Sequence, residues 1–104
     1  MLAPVLVAAV ALLAAPPVPA QGQDFSEVEI ETILAGEGVW MLVGAGGNIG
    51  VSAGEDGVFL IDDQYAPLTE KIRAAVERIN GQDIRFILNT HWHGDHTGGN
   101  ENLG

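Results

Sequence analysis

The sequence predicts a mixed α/β domain, in which short strands build a sheet and one helix packs against it. Four apolar runs of strand length, separated by glycine-rich turns, lie between residues 28 and 61. A helical pattern of apolar residues follows, and then a fifth apolar run at Ile84–Leu88. A strand, a crossover helix and a second strand form a βαβ unit, whose ligands gather beyond the carboxyl ends of its parallel strands. The sequence places a polar loop, residues 89–96, at that location.

The first two apolar runs are predicted to differ in burial. Val28, Ile30 and Leu34 alternate with glutamates, so a strand over residues 28–34 should have one buried and one solvated face. Residues 39–43 are apolar throughout, which is typical of a strand buried on both faces.

A glycine-rich segment, residues 44–48, separates the second and third strands and is interpreted as a flexible hairpin turn. The hairpin is strongly favoured over a phosphate-binding loop, because the third glycine of a G-x-G-x-x-G pattern would fall at Ile49 and no helical pattern follows. The third and fourth predicted strands cover residues 49–53 and 58–61. Asp62 and Asp63 stand at the exit of the fourth strand, where an acid is most often solvated or a helix cap.

An amphipathic helix is predicted from Pro67, a residue that suits the first helical position. Its apolar residues recur at helical spacing and are Leu68, Ile72, Ala75, Val76 and Ile79. Asn80 and Gly81 end the pattern. The basic residues of this helix should lie on its outer face and near its carboxyl end, where the helix dipole stabilises them.

All three histidines of the chain fall within six residues, together with Asp95. Imidazole nitrogen and carboxylate oxygen are ligands that Zn²⁺ and similar metals prefer, so this loop is a candidate metal site. His91 and His93 are two residues apart and would project from the same side of an extended chain, as co-ligands of one ion. Gly94 allows a turn that would aim Asp95 and His96 at a second position. The alternative is an ordinary surface turn, in which Asp95 or His96 caps the next helix.

The pattern His91-x-His93-x-Asp95-His96 follows the apolar run Phe86-Ile87-Leu88 and precedes Gly98-Gly99. It resembles the signature of the metallo-β-lactamase-fold hydrolases. The resemblance implies that the chain from about Val28 onward, within the mature segment 21–104, forms the N-terminal half of an αβ/βα sandwich. The expected fold class is therefore α/β (α+β).

The resemblance also implies a site for two Zn²⁺ ions. His91 and His93 would hold the first ion, and Asp95 and His96 would hold the second. Asp95 would in addition be catalytic, because its counterpart in the family is thought to help move a proton near the nucleophile.

Two further residues near the loop receive an interpretation. Asp62 occupies the position of an acid that lies behind the metal ligands of the family and orients them, although a solvated or capping acid explains it equally well. Trp92 is interpreted as a packing residue rather than a substrate contact, because its side chain should point away from the flanking ligands.

The reaction that the resemblance implies is hydrolysis by a metal-bound hydroxide. For an exported enzyme of this kind, the expected substrate is a lactam, a lactone or an ester. The alternatives are a phosphodiesterase or sulfatase on the same fold, or a non-catalytic exported metal-binding fragment.

The family's third histidine, bridging aspartate and final histidine have no counterpart here, so we expect a longer domain. One helix covers one face of a sheet, so the other apolar face should be bare and the isolated chain should fold poorly.

Residues 1–20 are predicted to be a secretory signal peptide. This segment has no charged side chain, an apolar core from Val5 to Ala15, and small residues at Val18 and Ala20 before a cut. An uncleaved membrane anchor is the alternative, which the short apolar run and its prolines disfavour. The prediction is a periplasmic or secreted protein with no stable membrane association after signal removal.

The composition of the chain limits the kinds of partner that it is expected to bind. The net charge of -10 argues against a nucleic-acid backbone and leaves a small-molecule substrate as the expected partner. The chain contains no cysteine, which excludes disulfides and thiolate metal ligands from this segment.

Overall fold

The computed structural model describes residues 24–104, so the predicted signal peptide lies outside the described residues. A five-stranded sheet with the strand order β1-β2-β3-β4-β5 confirms the predicted α/β class. The strands are β1 (Glu31–Gly36), β2 (Val39–Val43), β3 (Ile49–Gly54), β4 (Gly57–Ile61) and β5 (Ile84–Leu88). Across residues 24–104, no helix has the length and apolar character that a membrane span requires.

The first four strands form an antiparallel meander, and β5 pairs parallel to β4. A 3₁₀ turn, Ala66–Leu68, and the helix α1 (Thr69–Ile79) make the crossover between β4 and β5. Two short helices, α2 (Gly94–Thr97) and α3 (Asn100–Leu103), follow the last strand. Strand β4, helix α1 and strand β5 thus form the predicted βαβ unit.

One face of the sheet carries the hydrophobic core. The 3₁₀ turn contributes Leu68, and helix α1 contributes Ile72, Ala75 and Val76, all fully or almost fully buried, as the apolar spacing predicts. The strands contribute alternate residues, because neighbouring side chains of a strand point to opposite faces. These buried strand residues are Leu42, Ile49, Val51, Val58 and Leu60.

The prediction for the first strand is wrong at both ends. Val28 and Ile30 precede β1 and are half-buried, whereas Leu34 lies on the edge strand and is 67% exposed. The side chain of Lys71 explains the late start, because its ammonium donates to the carbonyls of residues 25, 26 and 28. These bonds hold the segment to helix α1, so its carbonyls bond to a side chain instead of a neighbouring strand.

The face opposite the helix is apolar and uncovered, as the sequence led us to expect. For this reason the prediction that β2 is buried on both faces is wrong, since Val39 is 44% exposed. Phe59 of β4 and Phe86 of β5 lie side by side on this face, with ring centroids 5.2 Å apart. The other exposed apolar side chains here are Ile33, Ile61 and Leu88. An apolar surface of this kind favours association or coverage by another segment.

Candidate metal centre

The candidate site lies at the carboxyl ends of the parallel strands β4 and β5. The ladder extends one bond beyond β4, because the amide of Asp62 donates to the carbonyl of Leu88 at 2.8 Å. Asp62 and Gln64 then adopt left-handed backbone conformations, with φ of 65° and 56°. Such values are uncommon for residues other than glycine, and they cluster at functional sites.

The structure brings the three histidines together. The ring centroid of His91 is 4.7 Å from that of His93 and 3.9 Å from that of His96. Asp95 joins them, with its Oδ2 3.4 Å from Nε2 of His96. The four candidate ligands therefore form one cluster in this structure.

The cluster is a set of neighbours and not yet a coordination sphere. In the part of the chain from residue 24 to 104, no three His, Asp or Glu side chains converge as ligands of one ion. Binding a metal here would therefore require side-chain rotation. His93 is exposed, which leaves its side chain room to rotate.

Asp62 lies beneath the histidine cluster and is only 2% exposed. Its Oδ1 accepts a hydrogen bond from the amide of Thr90 at 2.8 Å. Its Oδ2 lies 2.7 Å from both the Thr90 hydroxyl and Nδ1 of His96. Burial raises the pKa of Asp62, but the hydrogen bonds from Thr90 and His96 outweigh burial and leave that pKa lowered. An ionised carboxylate only accepts hydrogen bonds, so Nδ1 of His96 carries a proton.

The glycine-rich segment 44–48 is packed against this cluster, which its interpretation as a flexible turn did not predict. A Cβ atom on Gly47 would stand 2.5 Å from Nε2 of His96, and one on Gly46 would stand 2.8 Å from Cβ of Asp95. The side chain of Gln64 donates to the carbonyl of Gly47 at 2.6 Å and so holds the segment in place. The sequence signal was the number of glycines, which exceeds what a hairpin turn needs.

Asp63 and Gln64 are the buried polar residues that sequence reasoning missed, since both are 0% exposed. Oδ1 of Asp63 accepts a hydrogen bond from the amide of Gly99 at 3.0 Å. Within residues 24–104, Oδ2 of Asp63 and Oε1 of Gln64 have no hydrogen-bond partner. Burial raises the pKa of Asp63; the Gly99 bond opposes this shift, and the charge of Asp62 adds to it.

The helices after the loop are fixed to the end of β4 by close backbone contacts. The amide of Asp63 donates to the carbonyl of His96 at 3.0 Å. A Cβ on Gly98 would be 2.5 Å from the carbonyl oxygen of Gln64, so this position needs glycine. Gly99 is the N-cap of α3, so a helix begins directly after this close contact.

The packing prediction for Trp92 is wrong in this structure, because the residue is 82% exposed. The chain has left the sheet at this point and has not yet formed α2, so neither element covers the indole. Its ring contacts that of His93, with centroids 4.8 Å apart.

Comparison with known proteins places this geometry in a family. The family model of the metallo-beta-lactamase superfamily matches residues 32–104. Among curated proteins, none matches this chain.

Solved structures with a similar fold include a metallo-beta-lactamase with a HARLDQ motif from Cronobacter sakazakii. The identity is 29% and the TM-score 0.63, over 72% of this chain and 30% of that one. A mutant of the Cronobacter sakazakii protein gives a TM-score of 0.59 at 29% identity, over 70% of this chain and 30% of the other. The DIM-1 metallo-beta-lactamase shares the fold, with a TM-score of 0.55 and 22% identity, over 75% of this chain and 42% of that one.

Proposed function

Because this chain belongs to the metallo-beta-lactamase superfamily, we propose that it forms the N-terminal part of a zinc-dependent hydrolase of lactams, lactones or esters. Membership supports metal-dependent hydrolysis at the level of the superfamily. The chain spans 30% of the length of the Cronobacter enzyme. The activity and substrate of the whole protein are therefore part of the proposal.

Three imidazoles and one carboxylate are donors of the kind that zinc prefers, and we assign them to two ions. His91 and His93 would hold one ion, and Asp95 and His96 the other. The observation that carries this assignment is the bond between Asp62 and Nδ1 of His96. In a neutral imidazole this bond leaves the free lone pair on Nε2, the nitrogen beside Asp95. A carboxylate that orients a histidine in this way is a recurrent feature of protein zinc sites.

Zinc, when bound, would lower the pKa of a water molecule and polarise the scissile carbonyl. Asp95 is positioned for proton transfer, because its carboxylate is one-third exposed and lies next to the imidazole of His96. These two side chains would bind the same ion. Asp62 would keep that imidazole in one orientation through the reaction. Asp95, which would transfer the proton, and Asp62, which would orient the imidazole, are brought together at the ends of β4 and β5.

The test combines zinc analysis of the purified gene product with a panel of chromogenic lactams, lactones and esters. We expect bound zinc and turnover of at least one substrate class. His91→Ala or His93→Ala should deplete one ion, and Asp95→Asn or His96→Ala the other. The matched control is Asp83→Asn, an exposed acid outside the site. Full zinc content and unchanged rates in all four site variants would refute the proposal.

The same panel separates the alternatives. Turnover of a phosphodiester or an aryl sulfate alone would assign the fold to those reactions, and zinc binding without any turnover would indicate a non-catalytic metal-binding protein. The excess of negative charge is consistent with a small-molecule substrate and opposes nucleic-acid binding.

We also propose that the protein is exported to the periplasm or secreted, and that it does not remain bound to the membrane. The support is the apolar segment of residues 1–20 with small residues before Gln21. Intact-mass analysis of exported material should give a chain that begins at Gln21. Recovery of the chain with Met1 from the membrane fraction would contradict this.

A further inference from the structure

We propose that the Thr90 hydroxyl is a positioning group that holds the proton of His91 on Nδ1 and so directs Nε2 of His91 toward the metal centre. The proton assignment stands on the hydrogen bonds of this chain, whereas its use in metal binding rests on the function proposed above. Thr90 would touch neither metal nor substrate, and it would act through His91.

Thr90 stands between the buried carboxylate and the first histidine of the loop. Its Oγ1 is 2.7 Å from Oδ2 of Asp62 and 2.8 Å from Nδ1 of His91. Its amide donates to Oδ1 of Asp62 at 2.8 Å, which fixes the backbone at this point. The hydroxyl therefore bridges the two side chains from a constrained position.

The bridge has one direction, because a hydroxyl has a single proton to donate. Asp62 also receives the Thr90 amide and Nδ1 of His96, so donors surround its carboxylate. Oδ2 of Asp62 is therefore the acceptor in its bond with the Thr90 hydroxyl. The Thr90 proton must then point to Asp62, and Oγ1 has only lone pairs left for His91. Nδ1 of His91 is consequently the donor in the second bond.

This assignment gives His91 and His96 the same tautomer by two routes. Nδ1 of His96 donates directly to Asp62. Nδ1 of His91 donates to the Thr90 hydroxyl, which in turn donates to Asp62. When the two rings are neutral, the free lone pair of each is on Nε2. The ring nitrogen that binds a metal is set by the hydrogen bond of the other nitrogen. The ring of His93 has no such bond within residues 24–104, so its tautomer is not fixed in this way.

The experiment compares Thr90→Val, which removes the hydroxyl at nearly constant shape, with Thr90→Ser, which keeps it. Long-range proton–nitrogen NMR correlations of the metal-free full chain, at a pH where the histidines are neutral, report which ring nitrogen bears hydrogen. We expect Nδ1 protonation of His91 in the wild type and in Thr90→Ser. In Thr90→Val the signals of His91 should move toward the Nε2-protonated form, while those of His96 stay unchanged.

Zinc affinity, measured by competition with a chromogenic chelator, is the second measurement. We expect a loss of about tenfold in Thr90→Val and recovery in Thr90→Ser, since partners behind a metal ligand typically contribute 10–100-fold. If the wild type and Thr90→Ser show the predicted tautomer but bind no zinc, the hydrogen-bond assignment stands and the proposed function fails.

Two results would overturn the inference. One is a wild-type spectrum in which His91 is protonated on Nε2, which decides the question even if Thr90→Val does not fold. The other is a folded Thr90→Val chain whose His91 tautomer and zinc affinity equal those of the wild type.

Discussion

Asp62 and Asp63 are consecutive, both almost fully buried, and yet their pKa values move in opposite directions. The difference lies in their hydrogen-bond partners. Asp62 faces the histidine loop and meets donors from Thr90 and His96. Asp63 faces Gly99, and one of its oxygens has no partner among the described residues. Burial alone therefore does not set the cost of a carboxylate here, because the number of donors around it decides the sign.

The comparison assigns different tasks to the two acids. Asp62 connects the end of β4 to two of the candidate ligands, so the order of the site depends on it. Asp63 holds the start of α3 through Gly99, but its charge opposes folding. Substitutions at the two positions should therefore have opposite effects on the free energy of unfolding.

Asp62→Asn should produce the largest effect. The side-chain amide of asparagine has only one oxygen to accept the hydrogen bonds from Thr90 and His96. Its NH₂ group would face one of these donors and leave it without an acceptor. We expect a loss of about 2–3 kcal/mol in the free energy of unfolding, since bonds to a charged group contribute on this order. Zinc affinity should fall by roughly 10–100-fold, because the orientation of His96 is lost.

Urea unfolding and chelator competition measure these two quantities, and Asp83→Asn serves again as the exposed control. A stable Asp62→Asn chain with unchanged zinc affinity would show that Asp62 is only a strand-end acid. The solvated or capping interpretation of this residue would then be preferred.

Gly47→Ala should disturb the hydrogen bond between Asp62 and His96 from the opposite side of the imidazole ring. The new Cβ would overlap the imidazole ring, which Asp62 holds from Nδ1. We expect a destabilisation of about 1–3 kcal/mol, as is typical of overpacking, together with weaker zinc binding. Gly36→Ala is the matched control, since a Cβ at that position meets no atom within 4 Å. Equal behaviour of the two variants would show that segment 44–48 moves freely away from the site.

Much of the fold could be predicted from local patterns. The spacing of Ile72, Ala75 and Val76 identifies the buried face of α1, because helical periodicity is independent of distant residues. Strands β3 to β5 were likewise marked by apolar runs between turns. The start of β1 could not be predicted, because it depends on the bonds from Lys71 to a segment more than forty residues away.

The candidate site could be predicted only in part. The cluster of histidines is evident in the sequence because its members are neighbours in the chain. The burial of Asp63 and Gln64 and the packing of Gly47 on His96 arise from tertiary contacts, and no local pattern marks them. The role of Thr90 depends on a bond to Asp62 across the parallel strands, so it too required the structure.

Asp63→Asn should be a smaller change with the opposite sign. The amide oxygen can still accept from Gly99, and the buried negative charge beside Asp62 disappears. We expect a gain of about 1 kcal/mol in the free energy of unfolding near neutral pH, within the usual range of single substitutions. Urea unfolding of the metal-free chain measures the gain. Destabilisation instead would indicate that the unpartnered oxygen of Asp63 has a donor that the chain acquires in solution.

The pH dependence of stability should separate the two acids by a smaller but more specific effect. The pKa of Asp63 is raised above its ordinary value of 3.8, so the folded chain takes up this proton before the unfolded chain does. As the pH falls from neutrality toward 3.8, the wild type should therefore gain stability relative to Asp63→Asn. The pKa of Asp62 is lowered, so its contribution is complete above 3.8 and is lost as the pH falls below that value.

Unfolding of the metal-free wild type, Asp63→Asn and Asp62→Asn across this pH range tests both signs, because each difference from the wild type isolates one carboxyl group. The advantage of Asp63→Asn should shrink as the solution is acidified, since protonation removes the charge that the substitution removes. The disadvantage of Asp62→Asn should shrink only below the ordinary pKa of an aspartate, where the wild type loses its own carboxylate. Parallel curves for the three chains would mean that both acids titrate alike in the folded and unfolded states, and the contrast between their surroundings would then have no energetic content.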